Sequence, residues 1–518
     1  MADDLFSLIK SLDKNEKGYF KKFAARYGEK STGNDYLKLF DLLDKADDYN
    51  EDALKKYFAK TGKKFNLSSQ KGYLYNQIIR CLRIYNTGKS TEYQLNEMLL
   101  DIHNLMDKGL DEQAMELLNE GMQKAEEGEH LTLLLQFVRT KESLMIRHLQ
   151  QYPPAEILKM KATLASISDK IKESQLLDEK MYHMKLVFDE VIKTGSLTPE
   201  LKAKADELIK HPVLTAGLTG RDKAKAKVYT TYYLHSCILS NDNDALKYLK
   251  LTNETFRDSE LDARTTAQYL ANISNIILIA LNLQLVKEAE QQLHTLETIR
   301  FKDPSLELYR RRLFSKNQLM YLTVLSQHRK LTQEEINKAE QTLLACENPL
   351  VGNNNLMSCF YLSILFYVVG DRDKMLHWLD KANAHENVSF TTVQAFARLL
   401  SALMHYEQDN LSLMESALNN AQYFMKKNEI NSPFLKQVAS WFTKLQTGLP
   451  KPERQTLLEE MATYLEKANR ERRDEDFYTY LDFNLLHWCN SYLKKTTYAD
   501  ELIASRLRVE EAGEVVAV

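Results

Sequence analysis

Glycine and proline are both scarce in this chain, 16 and 9 among 518 residues. β-Sheet folds need turn residues every few positions, so this scarcity argues against a sheet-built body and predicts long helices. The five cysteines (Cys81, Cys237, Cys346, Cys359 and Cys489) are odd in number and widely separated. They form neither a disulfide framework nor a zinc spacing, and they fit a reducing compartment. Net charge is also small. A formal −3 gives no global attraction to nucleic acid or to a membrane surface, so an electrostatic partner must be found through local patches. The longest apolar run, 356–369, is interrupted by Ser358 and Ser363 and falls short of the roughly 20 residues that span a bilayer. The acidic start Met1-Ala2-Asp3-Asp4 lacks the basic-then-apolar order of a signal peptide. These features together predict a cytoplasmic protein with no membrane partner.

Catalytic motifs are absent as well. The chain contains no His-Glu-x-x-His, Cys-x-x-Cys or Gly-x-Ser-x-Gly. Its histidines are scattered singly, and His183, His235, His377, His405 and His487 lie among apolar neighbours, as structural histidines do. Asn86-Thr87-Gly88-Lys89-Ser90 ends like a phosphate loop, but Arg83 stands where the first glycine belongs and no strand precedes it. No catalytic, cofactor-binding or metal-ligating residue is assigned, no cofactor is implied, and the expected function is not enzymatic.

An apolar fraction of 44% supplies ample core, and apolar residues recur at helical spacing along most of the chain. Residues 1–90 predict a compact, basic helical module. Asp13-Lys14-Asn15-Glu16 reads as a capping box, and Ser68 or Ser69 should cap a long helix carrying Tyr73, Leu74, Ile78 and Leu82. Helix hairpins then follow one another over 91–470. They include separate helices over 155–171 and 176–192, a loop over 211–220, helix starts at Pro199, Pro304, Thr332 and Pro433, and a junction at Pro450 and Pro452. Residues 471–518 predict a capping aromatic helix over 477–492 and a frayed tail from 509. Arg310-Arg311-Arg312 reads as a solvated helix face.

The clearest hairpin is 355–382. Leu362, Ser363 and Phe366 place a large, a small and an aromatic residue on its first helix, Gly370-Asp371 makes the turn, and Leu379 and Ala382 follow on the second. Lys108-Gly109-Leu110-Asp111-Glu112-Gln113-Ala114 repeats the turn and its alanine, and Ala245 and Ala289 stand in the same place after later turns. In these features the chain resembles the tetratricopeptide repeats. Met375 replaces the usual alanine, and the customary closing proline is missing. In general texture the chain is similar to uncharacterised helical-repeat proteins of the Bacteroidota. The resemblance implies an all-α fold, a right-handed superhelical array of antiparallel helix hairpins (a tetratricopeptide-like α-solenoid), and a scaffold that binds a protein or peptide.

Two stretches are candidate sites. Residues 355–369 carry no polar stripe, and a helix apolar all round must be covered on all sides. Cover by the chain's own units is favoured. The alternative is an apolar groove for a peptide or amphipathic helix, lined by Met357, Phe360, Ile364, Tyr367 and Val368. The second stretch, 53–91, contains no Asp or Glu but carries Lys55, Lys56, Lys60, Lys63, Lys64, Lys71, Arg80, Arg83 and Lys89, with aromatic residues interleaved. The plain reading is a solvated rim with acids from 41–52 folding against it. An acidic protein partner ranks next and nucleic acid third. The alternative function is therefore a regulatory binder, whose basic module contacts nucleic acid or an acidic partner while the array senses a peptide.

Overall fold

The computed structural model describes residues 2–27, 35–59, 66–194, 197–218, 220–256, 263–301, 303–346, 353–384, 391–471 and 483–511. Among them the only regular structure is helical: 25 α-helices, one short 3₁₀ turn and no strand. The chain divides into two compact units, 1–172 and 173–518.

The first unit holds α1 (Ala2–Ser11), α2 (Lys14–Tyr27), α3 (Asp35–Lys45), α4 (Glu51–Ala59), α5 (Leu67–Asn86), α6 (Thr91–Asp107), α7 (Asp111–Glu127), α8 (Leu131–Arg147) and the start of α9 (Pro154–Thr194). Helices α1, α2 and α3 pack on α5 around Ile9, Phe20, Phe40, Leu74 and Ile78. The capping box expected at α2 is present: Asp13 Oδ1 accepts the Glu16 amide at 2.8 Å and Glu16 returns the bond to the Asp13 amide at 3.0 Å. The cap of α5 falls earlier than expected, on Asn66, whose Oδ1 accepts the Ser69 amide at 3.2 Å. A separate core around Leu95, Leu118 and Phe137 joins α6, α7 and α8. Gly121 allows this contact, because a Cβ there would stand 2.3 Å from the Phe137 ring.

The second unit continues with α10 (Pro199–Ile209), α11 (Pro212–Leu218), α12 (Asp222–Ile238), α13 (Asp242–Glu254), α14 (Ala263–Asn282), α15 (Val286–Thr298), α16 (Pro304–Leu325), α17 (Gln333–Leu344), α18 (Asn353–Val368), α19 (Arg372–Ala384), α20 (Thr391–Glu407), α21 (Leu411–Lys427), α22 (Pro433–Gln446), α23 (Lys451–Glu471), α24 (Leu485–Lys494) and α25 (Tyr498–Glu511). Antiparallel pairs such as α12/α13, α14/α15, α18/α19 and α20/α21 pack in chain order, and α14 also packs on α16, and α16 on α18. The helix starts at Pro199, Pro304 and Pro433 each carry a side-chain cap on the preceding residue, and Thr332 with Glu335 completes a capping box.

Four expectations are corrected. α9 is one helix of 41 residues, not two. The intervening Lys172-Glu173-Ser174-Gln175 holds neither glycine nor proline, so nothing there stops it. Residues 212–218 form α11 instead of a loop, because Pro212 presets the first turn and Val213 and Leu214 bury against Leu177 and Val228. Arg310 is not solvated. It is 5% exposed, forks onto Glu307 and donates to the Leu296 carbonyl at the end of α15. The last aromatic helix starts at Leu485. Phe477, Tyr480 and Leu481 lie outside the described residues, as does most of the expected tail, although α25 itself extends to Glu511.

One turn recurs through both units. Gly109, Glu129, Ser240, Gln284, Gly370, Asp409 and Glu429 all have positive φ. In each case the next amide donates to the carbonyl five residues back: Leu110 to Leu105, His130 to Ala125, Asn241 to Ser236, Leu285 to Ala280, Asp371 to Phe366, Asn410 to His405 and Ile430 to Met425. This is the Schellman closure, which glycine enters freely and other residues enter at about 1–2 kcal/mol. Gln284 and Glu429 therefore carry avoidable strain, and Gln284 also buries an amide oxygen with no partner. Gln284→Gly and Glu429→Gly should each raise stability in urea unfolding by about 0.5–1 kcal/mol, net of the entropy glycine adds to the unfolded chain.

Candidate binding cleft

Three turns of the second unit surround a cleft of about 590 Å³. Lys330, Leu331 and Gln333 come from the α16–α17 connection and the first turn of α17. Tyr367, Val368, Val369, Gly370 and Arg372 come from the α18–α19 turn, and Ser491, Tyr492 and Thr496 to Ala499 from the α24–α25 turn, with Glu407 at the end of α20. Each turn is fixed locally. Gly370 closes α18, and Asp371 starts α19 by accepting the Lys374 amide at 3.1 Å. Lys495 closes α24 in the left-handed region, and Thr497 starts α25 by accepting the Asp500 amide at 3.1 Å. Lys330 reaches Asp500 at 2.8 Å, joining two of these turns.

Glu407 is the hub of the site. Its Oε1 accepts the Tyr367 hydroxyl at 2.5 Å and the Trp488 indole N–H at 2.7 Å, and its Oε2 accepts Arg372 Nε at 2.8 Å. The carboxylate is thus held by three donors from three different helices, with its side chain only 13% exposed. Arg372 also donates to the Tyr367 carbonyl and lies over the Tyr367 ring at 3.8 Å. Burial, and then the Glu407 charge, push the Tyr367 phenol well above its ordinary pKa, so it remains a donor. Phe483 stacks on Tyr498 at 5.0 Å, and both rings meet Tyr367 edge-on at 5.1 Å. The same device recurs one pair earlier: Glu340 accepts the Trp378 indole at 2.9 Å and Lys374 at 2.9 Å, joining α17 to α19.

The groove offered as the alternative along α18 is absent, and the favoured cover by the chain's own helices is what the helix has. Phe360 is 0% exposed, Ile364 1%, Tyr367 2% and Val368 9%, and Met357 is half-buried. The neighbouring α16, α17 and α19 and the Phe396 ring of α20 enclose this helix, so its uniformly apolar surface is core. Only Tyr367 and Val368, at its C-terminal end, also border the cleft.

The basic stretch separates into unlike parts. Lys71 is buried, 2.7 Å from Glu51 and 2.6 Å from the Tyr49 hydroxyl, and Lys55 holds the other Glu51 oxygen at 2.9 Å. Lys71, Lys55 and Tyr49 lower the Glu51 carboxyl to about 2. For Lys71, on α5, an acid from the preceding helix α4 does fold against the stretch, whereas Lys55 pairs with Glu51 one turn away on α4 itself. Lys56, Arg80 and Arg83 are exposed, while Lys60, Lys63, Lys64 and the side chain of Lys89 lie outside the described residues. Ser90 of the phosphate-loop look-alike is the N-cap of α6, accepting the Tyr93 amide at 3.4 Å.

Glu407, Arg372 and Tyr498 carry the site and were not singled out by sequence. The only available signal was an acid ending the otherwise buried helix 391–407 and an arginine directly after the Gly370-Asp371 turn. No protein-family model matches the chain, and a search of curated proteins returns no match. Among the described residues no group of His, Cys, Asp and Glu is arranged to hold a metal ion, and no helix is long and apolar enough to cross a membrane.

Proposed function

We propose that the chain is a non-enzymatic, cytoplasmic scaffold that binds a protein or peptide through the cleft of its second unit. The carrying observation is the cleft itself, whose wall combines aromatic, aliphatic and paired polar groups contributed by three turns, two of them neighbours in the chain and the third more than a hundred residues further on. Its central carboxylate already has both oxygens engaged, which suits a structural hub better than a general base. Sequential packing of helix pairs, first helix on first helix, supports a tetratricopeptide-like array, and the right-handed superhelix is proposed from that likeness alone. The turns at 240, 284, 370 and 409 are more widely spaced than the 34 residues of such a unit, so the likeness lies in stacking and not in period.

A photo-crosslinking residue at Gln333, expressed in the native host, should give one discrete polypeptide adduct. Ala499→Trp, which fills the cleft, should abolish it. An adduct that survives the filled cleft, or a diffuse smear at every position tried, would contradict the proposal. A second reading, that the basic N-terminal module contacts nucleic acid or an acidic partner, is favoured by Arg80 and Arg83, which are exposed on a helix without acids.

A further inference from the structure

The second reading can be taken further at α5. This helix buries Leu67, Lys71, Leu74, Ile78 and Cys81 against its own unit. The opposite side carries large apolar side chains in water: Tyr73 is 41% exposed, Tyr75 38%, Ile79 36% and Ile84 46%. At 3.6 residues per turn these fall into two adjacent stripes, Tyr75–Ile79–Arg83 and Tyr73–Arg80–Ile84. Each stripe combines an aromatic ring, an isoleucine and an exposed arginine, and α5 contains no acid to neutralise either cation. The face extends about 16 Å, the length of three helical turns.

We propose that this face docks an acidic amphipathic helix of a partner protein, its apolar side chains seated between the stripes and its carboxylates on Arg80 and Arg83. The proposal rests on the second reading and commits it to one occupant. Isoleucine offers nothing to a phosphate backbone, and two exposed isoleucines among four apolar side chains favour a partner with apolar side chains of its own. The Tyr73 ring is already met edge-on by Tyr36 at 5.3 Å, which limits its use as a stacking platform for bases. A second copy of the same face would bring arginine against arginine, so charge selects an acidic partner over self-association.

The test titrates the full-length chain with a labelled synthetic helix bearing leucine at i, i+3, i+4 and i+7 and glutamate elsewhere. Its glutamine counterpart and an oligothymidylate are run in parallel. The glutamate peptide should bind saturably and the glutamine peptide at least about tenfold more weakly. Arg80→Glu with Arg83→Glu, and separately Ile79→Ser with Ile84→Ser, should each weaken binding about tenfold or more while helical circular dichroism is unchanged. Lys159→Glu, on the exposed side of α9, should have no effect. Equal binding of the two peptides, or no saturable binding at millimolar peptide, would overturn the inference. Oligothymidylate binding that depends on Arg80 and Arg83, with the peptide ignored, would overturn it while leaving the second reading intact. Failure of both probes would remove both.

Discussion

Glu407→Ala should lower the stability of the second unit by about 3–5 kcal/mol, the cost of stranding buried partners of a charge. The change leaves the Arg372 guanidinium, the Tyr367 hydroxyl and the Trp488 indole N–H without their common acceptor. Water can reach Arg372, which is one-third exposed, but Tyr367 and Trp488 are sealed at 2% and 0%. Glu407→Gln keeps an oxygen for the two neutral donors and loses only the charge, so it should cost roughly half as much. All three tryptophans, Trp378, Trp441 and Trp488, belong to the second unit, so their fluorescence in urea reports its unfolding without contribution from the first. A loss below about 1 kcal/mol for Glu407→Ala would mean that the hub is a surface ion pair.

Phe360→Ala is expected to cost a similar amount, about 3–5 kcal/mol, for a different reason. Its ring is 0% exposed and lies 6.3 Å from Phe396, so truncation removes apolar contact and leaves a cavity that fixed helices cannot fill. If α18 instead lined an open groove, the same substitution would fall within about 0.5 kcal/mol of the parent, as surface changes do. Urea midpoints at constant slope distinguish the two cases.

How much of this was legible beforehand depended on the range of the interactions. Local signals were read correctly where glycine, proline or a capping side chain marks a position: the turns at Gly109 and Gly370, the box at Asp13, and the helix starts at Thr332, Pro199, Pro304 and Pro433. The same turn at Glu129, Gln284 and Glu429 uses residues with no turn preference of that kind, held in the left-handed region by surrounding structure, so composition did not reveal it. Sequence described 355–369 as a helix needing cover on all sides and favoured cover by the chain itself, which is how the structure places it. It also left a groove open as an alternative, since periodicity shows that a surface must be buried but not by what.

The Glu407 hub lay beyond such reasoning. Its three donors are 35, 40 and 81 residues away, and no periodicity links positions at those separations. Arg310 was misread for a related reason. A run of three arginines resembles a solvated face, and only the fold brings the end of α15 to the first of them. In the basic stretch, charge counting could not distinguish Lys71, buried on Glu51, from Arg80 and Arg83, which face water.

Amide hydrogen exchange on the full-length chain tests the central claim most directly, namely that consecutive helix pairs cover the apolar helices from within. The account predicts that α18 and α20 are among the slowest-exchanging segments of the second unit, opening only with its global unfolding. Rapid exchange along α18 while the tryptophan signal remains native would contradict it.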